Sequence, residues 1–334
     1  MSYPDRDYYI TFLFEQLETF NTSVASTSTP TVGRPKSYAD EWLIVLFALL
    51  TLKGIYCFKA QHRWLEIHLP QMPRLNLQTV PARATLSRRY KQLACRLEAF
   101  IEFLGDLGMT LIADASLEVV YQDKSLFKAK GPVWHQKDRN ANRLPKGLRA
   151  VDTDASWSVS KYHGWVYGYG LHLTVCPEGL PLMSVADTAC VSEKAILDQQ
   201  IDKILEQNVG YVVADAGYTD LKRTEKLANK GLLLITPVIG AKRPQAQGYV
   251  EAINQSQRLH TYQQKRKVAI EPIFELLKQL LSTHNNHKQL PVKGKPNVRT
   301  FLMLGVVLLQ VAMLVNSIWG RPLRNVTHFI TIFR

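Results

Sequence analysis

An α/β protein preceded by an all-helical region is the fold class that the sequence predicts, and three observations carry it. Up to about residue 108 the apolar residues recur only at helical spacing. Beyond that point short apolar runs alternate with amphipathic stretches, and Gly105 and Gly108 mark the change. A chain of 334 residues has room for two domains. The expected division is a helical region over 1–108, an α/β region over 109–320 and a tail over 321–334.

In the first region, residues 38–66 and 83–107 read as helices, with Leu43, Leu46, Phe47 and Leu50, and later Leu93, Leu97, Phe100, Ile101 and Leu104, on repeating faces. A Pro-broken stretch lies between them, and Pro81 suits a helix entry. The turns that follow carry Arg88, Arg89 and Lys91 where the recognition helix of a helix-turn-helix would present them; a basic, solvated helix face reads equally well.

In the second region Met109–Ala113, Trp165–Val175, Leu180–Val185, Tyr211–Ala214 and Leu232–Ile239 read as strands. Ser192 is placed to cap a helix carrying Ile196, Leu197, Ile201, Ile204 and Leu205, and Thr219 to cap another that stops at Gly231. Ile270, Ile273, Phe274, Leu277, Leu280 and Leu281 give a further amphipathic helix, with Pro272 favouring a helix entry or a kink at Glu271. Phe301–Ile318 is apolar but carries Gln310 and Asn316, so a buried core helix is expected rather than a membrane span.

The charge restricts the partners. Lys and Arg number 41 against 28 Asp and Glu, a net +13. Residues 121–150 hold eight Lys/Arg and two acids, and 241–300 hold eleven and three, so these segments together carry the whole excess. Concentrated positive charge suits a phosphate backbone. The four cysteines form no CxxC pair, which argues against a zinc ribbon or a disulfide framework. The mixed charge of the first residues argues against a secretory signal, and a cytoplasmic location is expected.

Candidate chemistry lies in the acids at strand ends. Asp114 follows Leu111-Ile-Ala, and Asp215 follows Tyr211-Val-Val-Ala. Strand C-termini deliver side chains to the edge where α/β folds bind ligands. Glu271 is the third candidate, with Lys278 seven positions on, about two helical turns away on the same side. Three converging carboxylates suit hard divalent cations in phosphoryl displacement. Asp152 and Asp154 are rivals for the first position, Glu275 and Glu251 for the third.

Several motifs occur together in order: Leu111-Ile-Ala-Asp114-Ala-Ser, Asp152-Thr-Asp154-Ala-Ser-Trp157, Gly164-Trp-Val-Tyr-Gly168-Tyr-Gly-Leu-His172-Leu, Val213-Ala-Asp215-Ala-Gly-Tyr and Ile270-Glu271-Pro-Ile-Phe-Glu-Leu-Leu-Lys278. In these the chain resembles bacterial insertion-sequence DDE transposases from residue 110 to about 318. The resemblance implies an RNase H-like mixed sheet flanked by helices, with the first Asp on the first strand, the second after the fourth and the Glu on a later helix. Those roles pass to Asp114, Asp215 and Glu271, as catalytic residues and ligands of Mg²⁺ or Mn²⁺. The resemblance further implies cleavage of transposon ends and joining of the 3′-hydroxyl to target DNA. It also implies a homodimer on DNA; no membrane partner and a cytoplasmic, nucleoid-associated location are expected beside it. DNA contacts are expected from Lys278, Arg266, Lys267, Arg88, Arg89 and Lys91, and from Trp134 and Trp157 by base stacking, whereas Trp165 is expected in the core. A catalytically degenerate DNA-binding relative is the alternative.

Overall fold

In a computed structural model the described residues are 3–25, 37–71, 77, 79–112, 117–144, 147, 150–160, 164–237, 244–283 and 289–334. Helices α1 (Arg6–Ala25), α2 (Asp40–Leu52), α3 (Phe58–His68), α4 (Arg83–Gln92) and α5 (Ala94–Leu111) precede the sheet. The long helix expected over 38–66 is thus two, separated by a turn at Lys53–Cys57. Helix α5 continues to Leu111, so Met109–Leu111 is helical rather than the start of a strand. Its buried residues Phe100, Ile101, Leu104, Gly105 and Gly108 keep helical spacing through the supposed boundary at 108.

Among the described residues the first strand is β1 (Val119–Lys128). It is followed by α6 (Gln136–Asn140), β2 (Ser156–Ser160), β3 (Gly164–Val175), β4 (Pro181–Thr188), α7 (Glu193–Glu206), β5 (Tyr211–Ala214), α8 (Leu221–Ala228) and β6 (Leu233–Ile235). Strand β3 runs antiparallel to β1 on one edge and to β4 on the other, while β1 pairs in parallel with β5 and β5 with β6. The order β4-β3-β1-β5-β6, with β2 added as a short hairpin partner of β3, is an RNase H-like mixed sheet. Ser192 caps α7 as expected, whereas α8 is capped by Asp220, one residue beyond Thr219.

Helices α9 (Pro244–Gln255), α10 (Gln257–Leu280), α11 (Lys295–Ile318) and α12 (Thr327–Phe333) complete the chain. Helix α11 is long and apolar enough to cross a membrane, but its residues are buried against α5, β4, α2 and α10. Gln310, costly against lipid, serves here as a core link: its amide donates to the carbonyls of Ile101 in α5 and Pro181 in β4, each at 2.8 Å. One apolar cluster therefore spans the N-terminal helices and the sheet. Residues expected as a tail instead form α12, which packs on α1 and α2, and the Arg334 guanidinium donates to the Gln279 carbonyl at 2.6 Å.

Asp152 and Asp154 have structural work. Asp152 is buried and accepts from the Tyr169 hydroxyl at 3.0 Å and the Gly294 N–H at 2.9 Å, and Asp154 accepts from the Lys295 N–H at 2.9 Å. Both carboxylates thus cap the first turn of α11, where unpaired N–H groups and the helix dipole favour negative charge.

Candidate active site

Strand β1 lies between β3 and β5, and its residues Val119, Val120 and Tyr121 are buried. Its parallel register with β5 pairs Val119 with Tyr211 and Gln122 with Ala214. One step further along both chains stand Asp123 and Asp215. In a parallel pair, residues at matching positions point to the same face of the sheet. The strand pairing up to Gln122 and Ala214, with the turn that Asp215 caps, thus brings the two carboxylates near each other.

Their environment is that of a crowded acid pair. Asp123 Oδ1 accepts from the Lys124 N–H at 2.8 Å, and Oδ2 accepts from Arg266 Nη1 at 2.8 Å. Burial pushes the Asp123 carboxyl up to about 6, against the pull of Arg266, and the neighbouring Asp215 charge adds to the rise. Burial also raises Asp215, with Glu193 contributing, although its Oδ1 accepts from the Gly217 N–H at 2.9 Å. Tyr218 lies buried among these acids, and its hydroxyl has no hydrogen-bond partner. Burial first, then the charges of Asp123, Glu193 and Asp215, hold it protonated far above the ordinary phenol range.

Helix α10 brings the third acid. It runs unbroken through Pro272, so Glu271 sits mid-helix rather than at a helix entry. Arg266, on the same helix, reaches Asp123 with Nη1 and stands 3.5 Å from Glu271 Oε1 with Nη2. A single guanidinium thus joins Asp123 to the helix acid. Tyr262, one turn earlier, donates to Glu118 Oε2 at 2.8 Å just before β1 and ties the helix to the same strand.

Asp114, the expected first acid, lies outside the described residues, and the strand expected to carry it is not formed over Met109–Leu111. The resemblance places the first Asp on the first strand, which among the described residues is β1, and Asp123 is the aspartate that this strand carries next to Asp215. Sequence reading missed it because Gln122, Asp123 and Lys124 interrupt the apolar run. A polar interruption of a central strand was the available signal.

The expected DNA contacts divide. Arg266 is engaged between acids, while Lys267, Arg88 and Lys91 are exposed. Arg89 is buried and ion-paired with Asp40, so it fastens α4 to α2 instead of facing a ligand. Lys278 is also buried, and its ammonium is held by Glu275, one turn from Glu271. Trp134 is only 8% exposed and donates its indole N–H to the Arg143 carbonyl; Trp157 donates in turn to the Trp134 carbonyl at 2.9 Å. Trp165, expected in the core, is 70% exposed, because it lies in the part of β3 that pairs only with the short β2. His172 is buried and unpartnered, and burial drives its pKa down to about 3, so it stays neutral.

Two consequences can be measured. Arg89→Ala removes the buried ion pair that fastens α4 to α2 and is expected to destabilise the fold by roughly 3 kcal/mol, while Arg88→Ala on the exposed face leaves the melting temperature unchanged. Equal melting temperatures for the two variants would refute the distinction.

The second concerns pH. With the Asp123 carboxyl at about 6 rather than its usual 3.8, the folded state keeps a proton that the unfolded chain has released. Stability should therefore fall as pH rises between these values, by up to about 3 kcal/mol, and level off above them. Asp123→Asn should remove that part of the decline in urea unfolding curves. A variant whose profile parallels wild type would show that Asp123 is not the group responsible.

A family model described as a transposase DDE domain matches residues 115–293, more than half of the chain. The chain belongs to the DDE transposase family. The match includes Asp123, Asp215, Glu271 and Lys278 and begins one residue after Asp114. Among solved structures this transposase is similar to the piggyBac transposase synaptic complex with hairpin DNA, at 9% identity and a TM-score of 0.45, over 98% of this chain and 79% of that one. It is also similar to the Mos1 strand transfer complex, at 10% identity and a TM-score of 0.20, over 80% and 86%. No curated protein matches it.

DDE transposases generally use divalent metal ions. Asp123 and Asp215 fit that need: they are neighbouring oxygen donors, both raised first by burial and then by a nearby carboxylate, Asp215 for Asp123 and Glu193 for Asp215, a repulsion that a cation would relieve. Arg266 supplies one compensating positive charge. Among the described residues no three acidic, His or Cys groups stand close enough together to hold an ion, and Glu271 is joined to the pair only through Arg266.

Proposed function

We propose that this transposase cleaves the ends of its own element and joins the exposed 3′-hydroxyl to target DNA, with Asp123, Asp215 and Glu271 as the acids of the site. The observation that carries the reading is the proximity of Asp123 to Asp215, one residue past the last registered pair of the parallel β1 and β5, beside the Glu271 helix. Mg²⁺, or Mn²⁺ in its place, would supply Lewis-acid activation of the attacking oxygen and charge stabilisation of the leaving one. Asp123 and Asp215 would hold it, with Glu271 as the third acid. Arg266 keeps the acids aligned and offsets their repulsion before an ion binds.

The exposed cations Arg88 and Lys91 on α4 and Lys267 on α10 are suited to phosphate contacts that position DNA without reading its sequence. Trp165 offers the exposed aromatic face on which an unpaired base could stack. Action as a dimer that pairs two DNA ends, at the nucleoid, completes the reading.

The test is Mg²⁺-dependent cleavage of DNA carrying the element's flanking ends, comparing wild type with Asp123→Ala, Asp114→Ala, Asp215→Ala and Glu271→Ala. Loss of cutting with retained binding in the Asp123, Asp215 and Glu271 variants, but not in Asp114→Ala, supports the reading. Binding without cutting by the wild type would favour a degenerate DNA-binding protein, and loss confined to Asp114→Ala would remove Asp123 from the site.

A further inference from the structure

Pro272 follows Glu271 directly and leaves a defect in α10. A proline has no N–H, so the Val268 carbonyl, four residues earlier, loses the partner that an ordinary helix residue would give it. Helices commonly kink at such a point. Here the open carbonyl is met from outside the helix. Arg324, in the segment between α11 and α12, donates from Nη1 to the Val268 carbonyl at 2.7 Å. Its Nε donates to the Glu178 carbonyl in the β3–β4 turn at 2.8 Å.

The turn is shaped to admit this side chain. Gly179 has φ +91°, and a Cβ there would lie 2.7 Å from Arg324 Nη2 and 2.8 Å from both Arg324 Nε and Ile273 Cδ1. Only glycine suits that backbone conformation and leaves room for the guanidinium. Three segments distant in sequence therefore converge on one cation: the turn after β3, the Glu271 turn of α10 and the connection after α11. Val268, Glu271, Pro272 and Arg324 line a common shallow groove.

We infer that Arg324 is a positioning residue for Glu271: by replacing the hydrogen bond that Pro272 cannot make and anchoring that turn to the β3–β4 corner, it fixes the helix acid relative to Asp123 and Asp215. The inference rests on the reading of Glu271 as an acid of the site. It explains how a proline is accommodated beside that acid without a break in the helix. The hydrogen bonds of Arg324 go to the Val268 and Glu178 carbonyls, so its effect reaches the chemistry through the direction of Glu271.

The arrangement contains its own control. Pro272→Ala restores a backbone N–H to the Val268 carbonyl and makes the external donor redundant. At saturating end DNA, Arg324→Ala is expected to lower the cleavage rate by roughly 10- to 100-fold, the scale of a displaced catalytic group, with DNA affinity unchanged. In the Pro272→Ala background the same substitution should cost less than about three-fold, which is below half a decade in rate. Equal losses in both backgrounds would overturn the inference.

Amide hydrogen exchange over residues 268–276 reads the clamp without reference to catalysis. Exchange should accelerate in Arg324→Ala and not in the double variant, and unchanged exchange in Arg324→Ala would also overturn the proposal. Arg324→Lys, which keeps the charge but cannot span both carbonyls, should fall between wild type and Arg324→Ala in both measurements if the alanine variant folds poorly. Undiminished cutting by Glu271→Ala would instead refute the functional reading, whatever the exchange data show.

Discussion

Asp123→Ala is expected to reduce Mg²⁺-dependent cleavage by roughly 10³-fold or more, because an acid that holds a charge-stabilising cation contributes several kcal/mol to the transition state. Asp215→Ala should match it if, as proposed, the two carboxylates next to each other beyond the β1–β5 pairing serve one centre. The double variant should be little worse than either single one, as expected for groups that work as a unit. DNA affinity should survive, because the exposed cations on α4 and α10 are untouched. Single-turnover cleavage with a parallel binding titration reads both quantities. Cutting that persists in Asp123→Ala would show that adjacency in the sheet does not make this aspartate part of the site.

The largest expected effect on stability belongs to Gly168→Ala. A Cβ at this position would fall 1.9 Å from the Phe127 carbonyl oxygen and 2.9 Å from the Ala129 nitrogen, both backbone atoms that cannot rotate aside. Gly168 also pairs with Ser156 and Lys128, and its carbonyl accepts from the Ala189 N–H at 3.0 Å, so three chain segments hold it in place. The β1–β3 ladder would have to part at its Lys128 end, at a cost of about 4 kcal/mol or more, the range of severe core substitutions. Gly248→Ala is the control: nothing lies within 4 Å of its added methyl group, in helix α9, and the change should be neutral or gain up to about 1 kcal/mol. Denaturant midpoints separate the cases, and a Gly168→Ala midpoint equal to wild type would mean that the strands relax more readily than their pairing indicates.

Strands β3, β4 and β5 were legible because each is a run of apolar residues with a clear end, and α7 because Ser192 caps a regular amphipathic pattern. Strand β1 was not. Its centre reads Gln122-Asp123-Lys124, which breaks the apolar signal at the position of the proposed site acid. The rival run Met109–Ala113 looked strand-like because five apolar and small residues cannot be told from the last turn of a buried helix by periodicity alone. The tryptophans show the same limit: Trp134 and Trp165 exchange their expected places because exposure depends on which neighbouring strand reaches them.

The sequence by itself determined the helical first region, the α/β second region and the concentration of positive charge, and it marked Asp215 and Glu271 as candidate acids by the apolar patterns around them. Only the tertiary structure decided that Asp123 stands beside Asp215, that Arg266 joins Asp123 to the helix acid, that Arg89 and Lys278 are spent on internal ion pairs, and that Asp152 and Asp154 cap α11. The physical reason is one of range. Periodicity and capping report how a segment folds against its own neighbours within a few residues, whereas the grouping of charges at a site is set by strand register and by contacts between residues a hundred or more positions apart.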